Sequence, residues 1–284
     1  MQKDKIGVGI ITCDRPEYLT DLLNSIDKKF IDRLIIVDDG NKKALAAHPK
    51  VDYIRQTEGR IGVGKAKNIA MKNLLDEECE HIFILEDDCT ITNHDVFKKY
   101  IEAYKDTGLK HFNFGPASPW NRVQVDKTMI GDLSRRGEAS QKGDPNPKMI
   151  VTYKSGLKIH LYEHIVAMFS YYHATVLEQV GLMDERFYNA WEHVEHTLKI
   201  IKAGYYSPFW WFADIEGSEN YIKEQEGEKA NTSLAKNEEE FMKRVQDGLK
   251  VFYEIHQTVP SMISSPHPDA IKGVLKRIYD NKYN

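Results

Sequence analysis

Three polar clusters, each at the end of an apolar run, hold the residue types that could do chemistry. Glu86-Asp87-Asp88 follows the run HIFIL (81–85). Adjacent carboxylates repel, and burial raises their pKa unless a cation compensates. A hard divalent ion, held by one or two carboxylates and bridging a substrate diphosphate, would compensate them. Alone, the triplet reads as a solvated acidic turn; after a buried strand and beside a second acidic strand end, it reads as a metal site. Asp38-Asp39 follows LIIV (34–37) and reads either as a turn-forming pair or as a carboxylate accepting a nucleobase N–H. Arg60, Lys65 and Lys67 crowd the loop GRIGVGK (59–65) and the residues after it. They would set cations and a helix N-terminus near phosphates, or form an ordinary solvated basic face. The Gly and Lys spacing is not that of a P-loop, and the Ser or Thr of that motif is missing. A further segment is Asn189-Ala190-Trp191-Glu192-His193-Val194-Glu195-His196. Its histidines lack the HExxH spacing of a zinc helix. What remains is a general base at a helix start, either Glu192 or His193.

The surrounding pattern supplies elements that would position these groups. Ile6–Thr12 is a short β-branched strand broken by Asp14-Arg15-Pro16, and Pro16 suits the first turn of a helix reaching Lys28, with Leu19, Leu22, Leu23 and Ile26 on one face. Leu34–Val37, Val51–Ile54 and His81–Leu85 read as three more strands, with a helix from Lys65 to about Leu75. That order predicts a parallel α/β sheet with right-handed crossovers, in which ligands gather beyond the carboxyl ends of the strands. Those ends carry Thr12-Cys13-Asp14-Arg15, Asp38-Asp39 and Glu86-Asp87-Asp88. Downstream come a helix over 93–107, a strand running into a loop over 112–120, and a polar Gly/Pro-rich segment at 122–147 that reads as a mobile loop. A hairpin over 149–161 and a strand over 164–172 follow. Helices over 175–180 and 191–203, the latter stopped by Gly204, lead to an aromatic strand over 208–212. From about residue 237 the chain reads as charged and helical, with a second segment at 269–279.

Composition narrows the class. The chain has 284 residues, 41% hydrophobic and 29% charged, with 39 basic and 43 acidic residues for a formal charge of −4. A large core is affordable, and a polyanion-coating role is disfavoured, so no nucleic-acid partner is expected. No run approaches the roughly 20 apolar residues of a membrane span, and the opening residues lack signal-peptide architecture. Three cysteines, Cys13, Cys79 and Cys89, cannot all pair within one chain, as in reduced cytoplasmic proteins. A cytoplasmic location is expected.

Four ordered motifs between residues 6 and 206 resemble inverting nucleotide-sugar glycosyltransferases of the GT-A fold, family 2. GVGIITCDRPEYLTDLLNSI followed by LIIVDDG is similar to that family's first strand, helix and second strand. RIGVGKAKNIAM is similar to its G-x-x-x-A-R-N segment, with Lys67 at the Arg position. ILEDDC stands in the place of its Asp-x-Asp motif, in the Glu-Asp-Asp form of some N-acetylglucosaminyltransferases. VLEQVGLMDERFYNAWEHVEHTLKIIKAGY resembles the downstream stretch that starts the base helix.

The resemblance implies an α/β GT-A (Rossmann-like) fold, a mostly parallel sheet with flanking helices. The catalytic domain would span 1–235, with a nucleotide-sugar-binding half (1–110) and an acceptor-binding half (111–235), followed by a helical C-terminal extension (236–284). It implies metal-dependent, inverting transfer of a hexosyl or N-acetylhexosaminyl group from a UDP-linked donor. The acceptor would be a glycan or lipid-linked saccharide, in surface polysaccharide or glycan synthesis. Thr12, Asp14 and Arg15 would line the nucleotide pocket and Asp39 would contact the base. Asp88 would hold Mn²⁺ or Mg²⁺ on the donor diphosphate, with Asp87 on the ribose or a metal-bound water. The family's usual Asp in the Glu-Asp pair is His193 here, so either Glu192 or His193 is the base. The 122–147 segment would be a lid, and Trp120, Trp191, Trp210 and Trp211 are candidates for stacking on sugars. Lys272, Lys276, Arg277 and Lys282 would permit peripheral contact with an anionic membrane, against a solvated helix face as the plainer reading. Two other classes compete: a sugar-phosphate nucleotidyltransferase, whose Gly-rich first loop TCDRPEYL does not provide, and a non-catalytic carbohydrate-binding protein on the same fold.

Overall fold

The computed structural model describes residues 4–40, 45, 47–123, 143–204, 211–225 and 238–260. In chain order its elements begin with β1 (Ile6–Thr12), α1 (Pro16–Ser25), β2 (Arg33–Asp38) and β3 (Tyr53–Gln56). There follow α2 (Val63–Asp76), β4 (His81–Glu86), β5 (Cys89–Ile91), α3 (Asp95–Thr107) and β6 (His111–Asn113). The second half contributes β7 (Met149–Thr152), β8 (Lys158–Tyr162), β9 (Phe169–His173), α4 (Ala174–Val180) and α5 (Glu192–Lys202). The last are β10 (Phe212–Ile215), β11 (Ile222–Glu224) and α6 (Glu238–His256).

Six strands form the main sheet in the order β3-β2-β1-β4-β9-β6. The β1, β2, β3 and β4 pairings are parallel, whereas β9 runs antiparallel to both β4 and β6. Strands covered on both faces need continuous apolar sequence, and IGVGIIT, LIIV and IFIL supply it. Register then aligns the site: Thr12 pairs with Asp38, and Ile11 with Glu86. The turn after β4 therefore falls beside the end of β1. Helix α2 lies close over β1 because Gly9 leaves room for it; a Cβ there would sit 2.9 Å from the Ala70 Cβ. That close approach carries Lys67 of α2 to the carboxyl end of the sheet.

Two small antiparallel sheets complete the described fold, β10-β8-β7 and β11-β5. The hairpin forms as the sequence predicts. Helix α1 ends at Ser25 instead of Lys28, because Asp27 opens a 3-10 turn by accepting from the Lys29 N–H at 3.1 Å. The strand expected at 208–212 is found at Phe212–Ile215; residues 208–210 lie outside the described residues. Of the expected lid, 124–142 are likewise outside, while its two ends are clipped together by an Arg122–Pro145 bridge and by Asn146 N–H donating to Asn121 O at 2.7 Å. Helix α6 packs on the domain: Phe252 joins Phe187, Val194, Leu198 and Phe212 in a second apolar cluster. The second C-terminal helix segment and its basic residues lie outside the described residues. Among the described residues no helix is long and apolar enough to cross a membrane.

Candidate active site

The carboxyl ends of β1 and β4 meet at an acidic pair compensated by one guanidinium. Asp87 is wholly buried; it accepts from the Thr12 hydroxyl at 2.5 Å and is ion-paired to Arg15. The same guanidinium lies 3.5 Å from Asp88 Oδ2. Burial pushes the Asp87 carboxyl up to about 7, even though Arg15 pulls the other way. Arg15 is itself nearly buried, and Asp87, Asp88 and Glu86 outweigh the cost of burying its charge. The Asp88 Oδ1 atom is buried with no hydrogen-bond partner. Two carboxylates, one of them with an unsatisfied hard oxygen, make an all-oxygen donor set that fits Mg²⁺ or Mn²⁺, with the Arg15 guanidinium compensating their charge.

This turn is held by a residue that the sequence reading missed. Gln225, just past β11, donates its side-chain N–H to the carbonyls of Tyr18, Asp87 and Cys89, at 2.9, 2.9 and 3.1 Å. Its backbone N–H reaches Asp88 O at 2.7 Å. A single Gln in the stretch IKEQEGE has no local signature for such a role.

The basic loop is arranged differently from the expectation. Asp39 accepts the backbone N–H groups of Ile61 and Gly62 at 2.7 and 2.9 Å, and the Thr57 hydroxyl at 3.0 Å. Val63 N–H donates to Tyr188 O at 2.8 Å. The start of α2 thus points its donors at Asp39 and Tyr188, so its helix-dipole end is neutralised from within the protein. Gly62 has φ 97°, and a Cβ there would meet Tyr188 O at 2.5 Å, so only glycine suits this crossing. Arg60 reaches back to Asp14 at 3.0 Å, a pairing that raises its pKa, and joins the ends of β1 and of the loop. Lys65 is half exposed, 3.8 Å from Glu185.

Lys67, expected beside phosphates, is buried between two carboxylates. Its ammonium is 2.7 Å from Glu86 and 3.0 Å from Glu192. Burial opposes its charge, but the two glutamates outweigh that and raise its pKa. Burial would also raise Glu192, yet Lys67 and His193 hold it far below the usual carboxylate range. The same Glu192 oxygen lies 3.0 Å from His193 Nδ1. The order Glu86–Lys67–Glu192–His193 therefore joins the acidic strand end to the helix that starts at Trp191. With an ionised carboxylate at Nδ1, the tautomer protonated there is favoured, which leaves the lone pair on Nε2; the His193 side chain is 16% exposed.

The entrance of α5 is set by Trp191, which takes a left-handed conformation at φ 71°. Its indole N–H donates to Val245 O of α6 at 3.1 Å, and Gly248 lets α6 approach it. Trp211 is buried, while Trp120 is half exposed; Trp210 lies outside the described residues. Deeper in, His111, Asn113 and Thr197 tie α5 to β6, with His111 Nε2 2.8 Å from the Thr197 hydroxyl.

Residues 7–116 match the family model described as Glycosyl transferase family 2. No curated protein matches the chain. Among solved structures, TarS from S. aureus is similar at 16% identity and TM-score 0.48, covering 78% of this chain and 60% of that one. The mannosyltransferase PcManGT from Pyrobaculum calidifontis, in complex with GDP-Man and Mn²⁺, has 13% identity and TM-score 0.40 over 64% and 48% of the two chains. GalNAc-T7 with UDP, GalNAc and Mn²⁺ has 13% identity and TM-score 0.43 over 72% and 41%. The chain thus spans about 60% of the TarS chain and about half or less of the other two. Residues 7–116 are thus similar to family 2 glycosyl transferases, within a mixed α/β fold built on a mostly parallel six-stranded sheet.

Proposed function

We propose that the chain moves a hexosyl or N-acetylhexosaminyl group from a UDP-linked donor to an acceptor hydroxyl with inversion, and that His193 is the base. The Glu192–His193 contact carries this reading. Glu192 is buried, ionised and already shared with Lys67, which makes it a poor proton acceptor and a good orienter. His193, with Nδ1 against that carboxylate, would keep the Nε2 lone pair for the acceptor proton, as a base served by a carboxylate should. The acceptor O–H gives its proton to Nε2, the oxygen attacks the anomeric carbon from the face opposite the diphosphate, and the C1–O bond breaks to release the nucleoside diphosphate. Asp88, with its unsatisfied oxygen, and Asp87 are the residues that would hold Mn²⁺ or Mg²⁺. When bound, such an ion neutralises charge on the leaving diphosphate.

Thr12 and Arg15 position Asp87 for this task, and Asp14 with Arg60 forms the wall where the nucleotide would lie. Asp39 acts by shaping the 57–62 loop, with contact to the base as a further role. Lys65, half exposed just after that loop, would serve the donor phosphates, while Lys67 sets the charge of Glu192. We assign donor binding to residues 1–110, acceptor binding to 111–235, and bracing of the base helix to the segment from 236. The acceptor we propose is a glycan or lipid-linked saccharide. Cys13, Cys79 and Cys89 are all free, which supports work in the reducing cytoplasm.

The test is a screen of UDP- and GDP-sugars by thermal shift with and without Mn²⁺, followed by NMR of the anomeric product. We expect metal-dependent stabilisation by a UDP-sugar that Asp88→Asn abolishes. His193→Gln should keep that stabilisation and lose about 10²–10⁴ in kcat. Donor binding that is indifferent to chelator and to Asp88, or full turnover in His193→Gln, would overturn the proposal.

A further inference from the structure

The geometry points to a second cation site, at the opposite end of the sheet, where Asp4, Glu80 and His81 form a binding site for a borderline divalent transition ion of the Zn²⁺ class. One ligand atom from each lies within 4.8 Å of the others. Asp4 leads into β1, while Glu80 and His81 lead into β4. The backbone N–H groups of Glu80 and His81 both donate to Lys5 O, at 2.9 and 3.1 Å, which holds the two segments side by side.

The decisive atom is His81 Nε2. The residue is wholly buried, and this nitrogen has no hydrogen-bond partner. It faces Asp4 Oδ1 at 3.8 Å, too far for a hydrogen bond. The other ring nitrogen, Nδ1, lies 2.9 Å from the Tyr171 hydroxyl. An imidazole anchored at Nδ1 by an outer oxygen, with Nε2 aimed at carboxylates, is the usual arrangement of a metal-ligating histidine. A second imidazole borders the cluster: His173 Nε2 is 3.4 Å from Glu80 Oε1, and its Nδ1 is held by the Thr175 hydroxyl at 2.8 Å.

Imidazole nitrogen with carboxylate oxygen is the donor set of Zn²⁺ and its neighbours, and it differs from the all-oxygen set at Asp88. Ligand atoms bound at about 2.0–2.1 Å to one tetrahedral ion lie about 3.3–3.5 Å apart, so small side-chain movements close the site. The six residues of β4 separate the two ends of the sheet by roughly 20 Å at about 3.3 Å per residue, so this ion would be remote from the donor. Lys105 is paired with Asp4; the incoming ion would take its place. An ion here would join the starts of β1 and β4, the two central strands.

Metal-stripped full-length protein titrated with ZnCl₂, read by calorimetry and by the visible d–d absorption of Co²⁺ in its place, tests the proposal. We expect one site whose occupation raises Tm. Glu80→Gln and Asp4→Asn, both at accessible positions, should weaken it at least tenfold while circular dichroism stays native. Asp88→Asn should bind Zn²⁺ as the parent does. Absence of binding, equal affinity in Glu80→Gln and Asp4→Asn, or loss in Asp88→Asn would each overturn it.

Discussion

At the residue scale, the site is governed by pairing of charges that could not be buried singly. Lys67 illustrates this. It is 1% exposed and serves two glutamates at once. Breaking a buried pair by removing one partner costs about 3–5 kcal/mol, because the survivor is left uncompensated. Lys67→Met should therefore lower stability by about that much in urea denaturation, and should leave Glu192 and Glu86 repelling each other. The double variant Lys67→Met with Glu192→Gln should recover part of the loss. The sequence displayed the acidic strand end and the Glu192-His193 step, because both are local. It did not display their link. Lys67 and Glu192 are 125 positions apart, and a lysine among GVGKAKN gives no sign of which carboxylate it will meet. Asp39 was legible as a carboxylate at a strand end, but its partners are backbone N–H groups of Ile61 and Gly62, which no residue type announces.

At the element scale, the helix that carries the proposed base is steered from behind. Trp191 starts α5 in a left-handed conformation while α6 holds its indole. Gly248 is where the two meet: a Cβ there would lie 2.8 Å from Ala190 O and 2.9 Å from Trp191 Cδ1. Gly248→Val should push α6 outward, turn the Trp191 corner, and misplace His193. Steady-state kinetics should show kcat lowered by about tenfold or more with the donor KM unchanged, since misplacement by an ångström is costly. Strands β1, β2 and β4 were readable from their apolar runs, and the hairpin from its turn residues. Strands β5 and β11 were not, as three residues carry no period. Strand β10 runs on past the expected end at Phe212 to Ile215, through Asp214, which interrupts the apolar pattern. That aspartate is fully buried and accepts from the Tyr100 hydroxyl, Gly115 N–H and the Ser218 hydroxyl at 2.5, 2.9 and 2.6 Å, a tertiary arrangement invisible along the chain.

At the scale of the whole molecule, two buried histidines should withdraw stability on mild acidification, against Asp87 and Asp214, whose carboxyls burial raises to about 7 and which act in the opposite sense. His111 and His196 are buried, and burial lowers their pKa to about 3 and about 4. Unfolded, each takes a proton near its ordinary value of about 6.5. Their contribution is therefore complete above that value and is lost as pH falls from about 6.5 toward 4, by at most about 1.4 kcal/mol per pH unit for each. In urea denaturation the stability of the parent relative to His196→Gln should therefore fall between pH 7.5 and 5.0, whatever the other groups contribute to both. The chain of Glu86, Lys67, Glu192 and His193 has a consequence for divergence as well. A single change of sign anywhere in it leaves an unbalanced charge in the interior, so descendants of this sequence should alter those positions in concert. A homologue with a neutral residue at position 67 should also have lost an acid at 86 or 192.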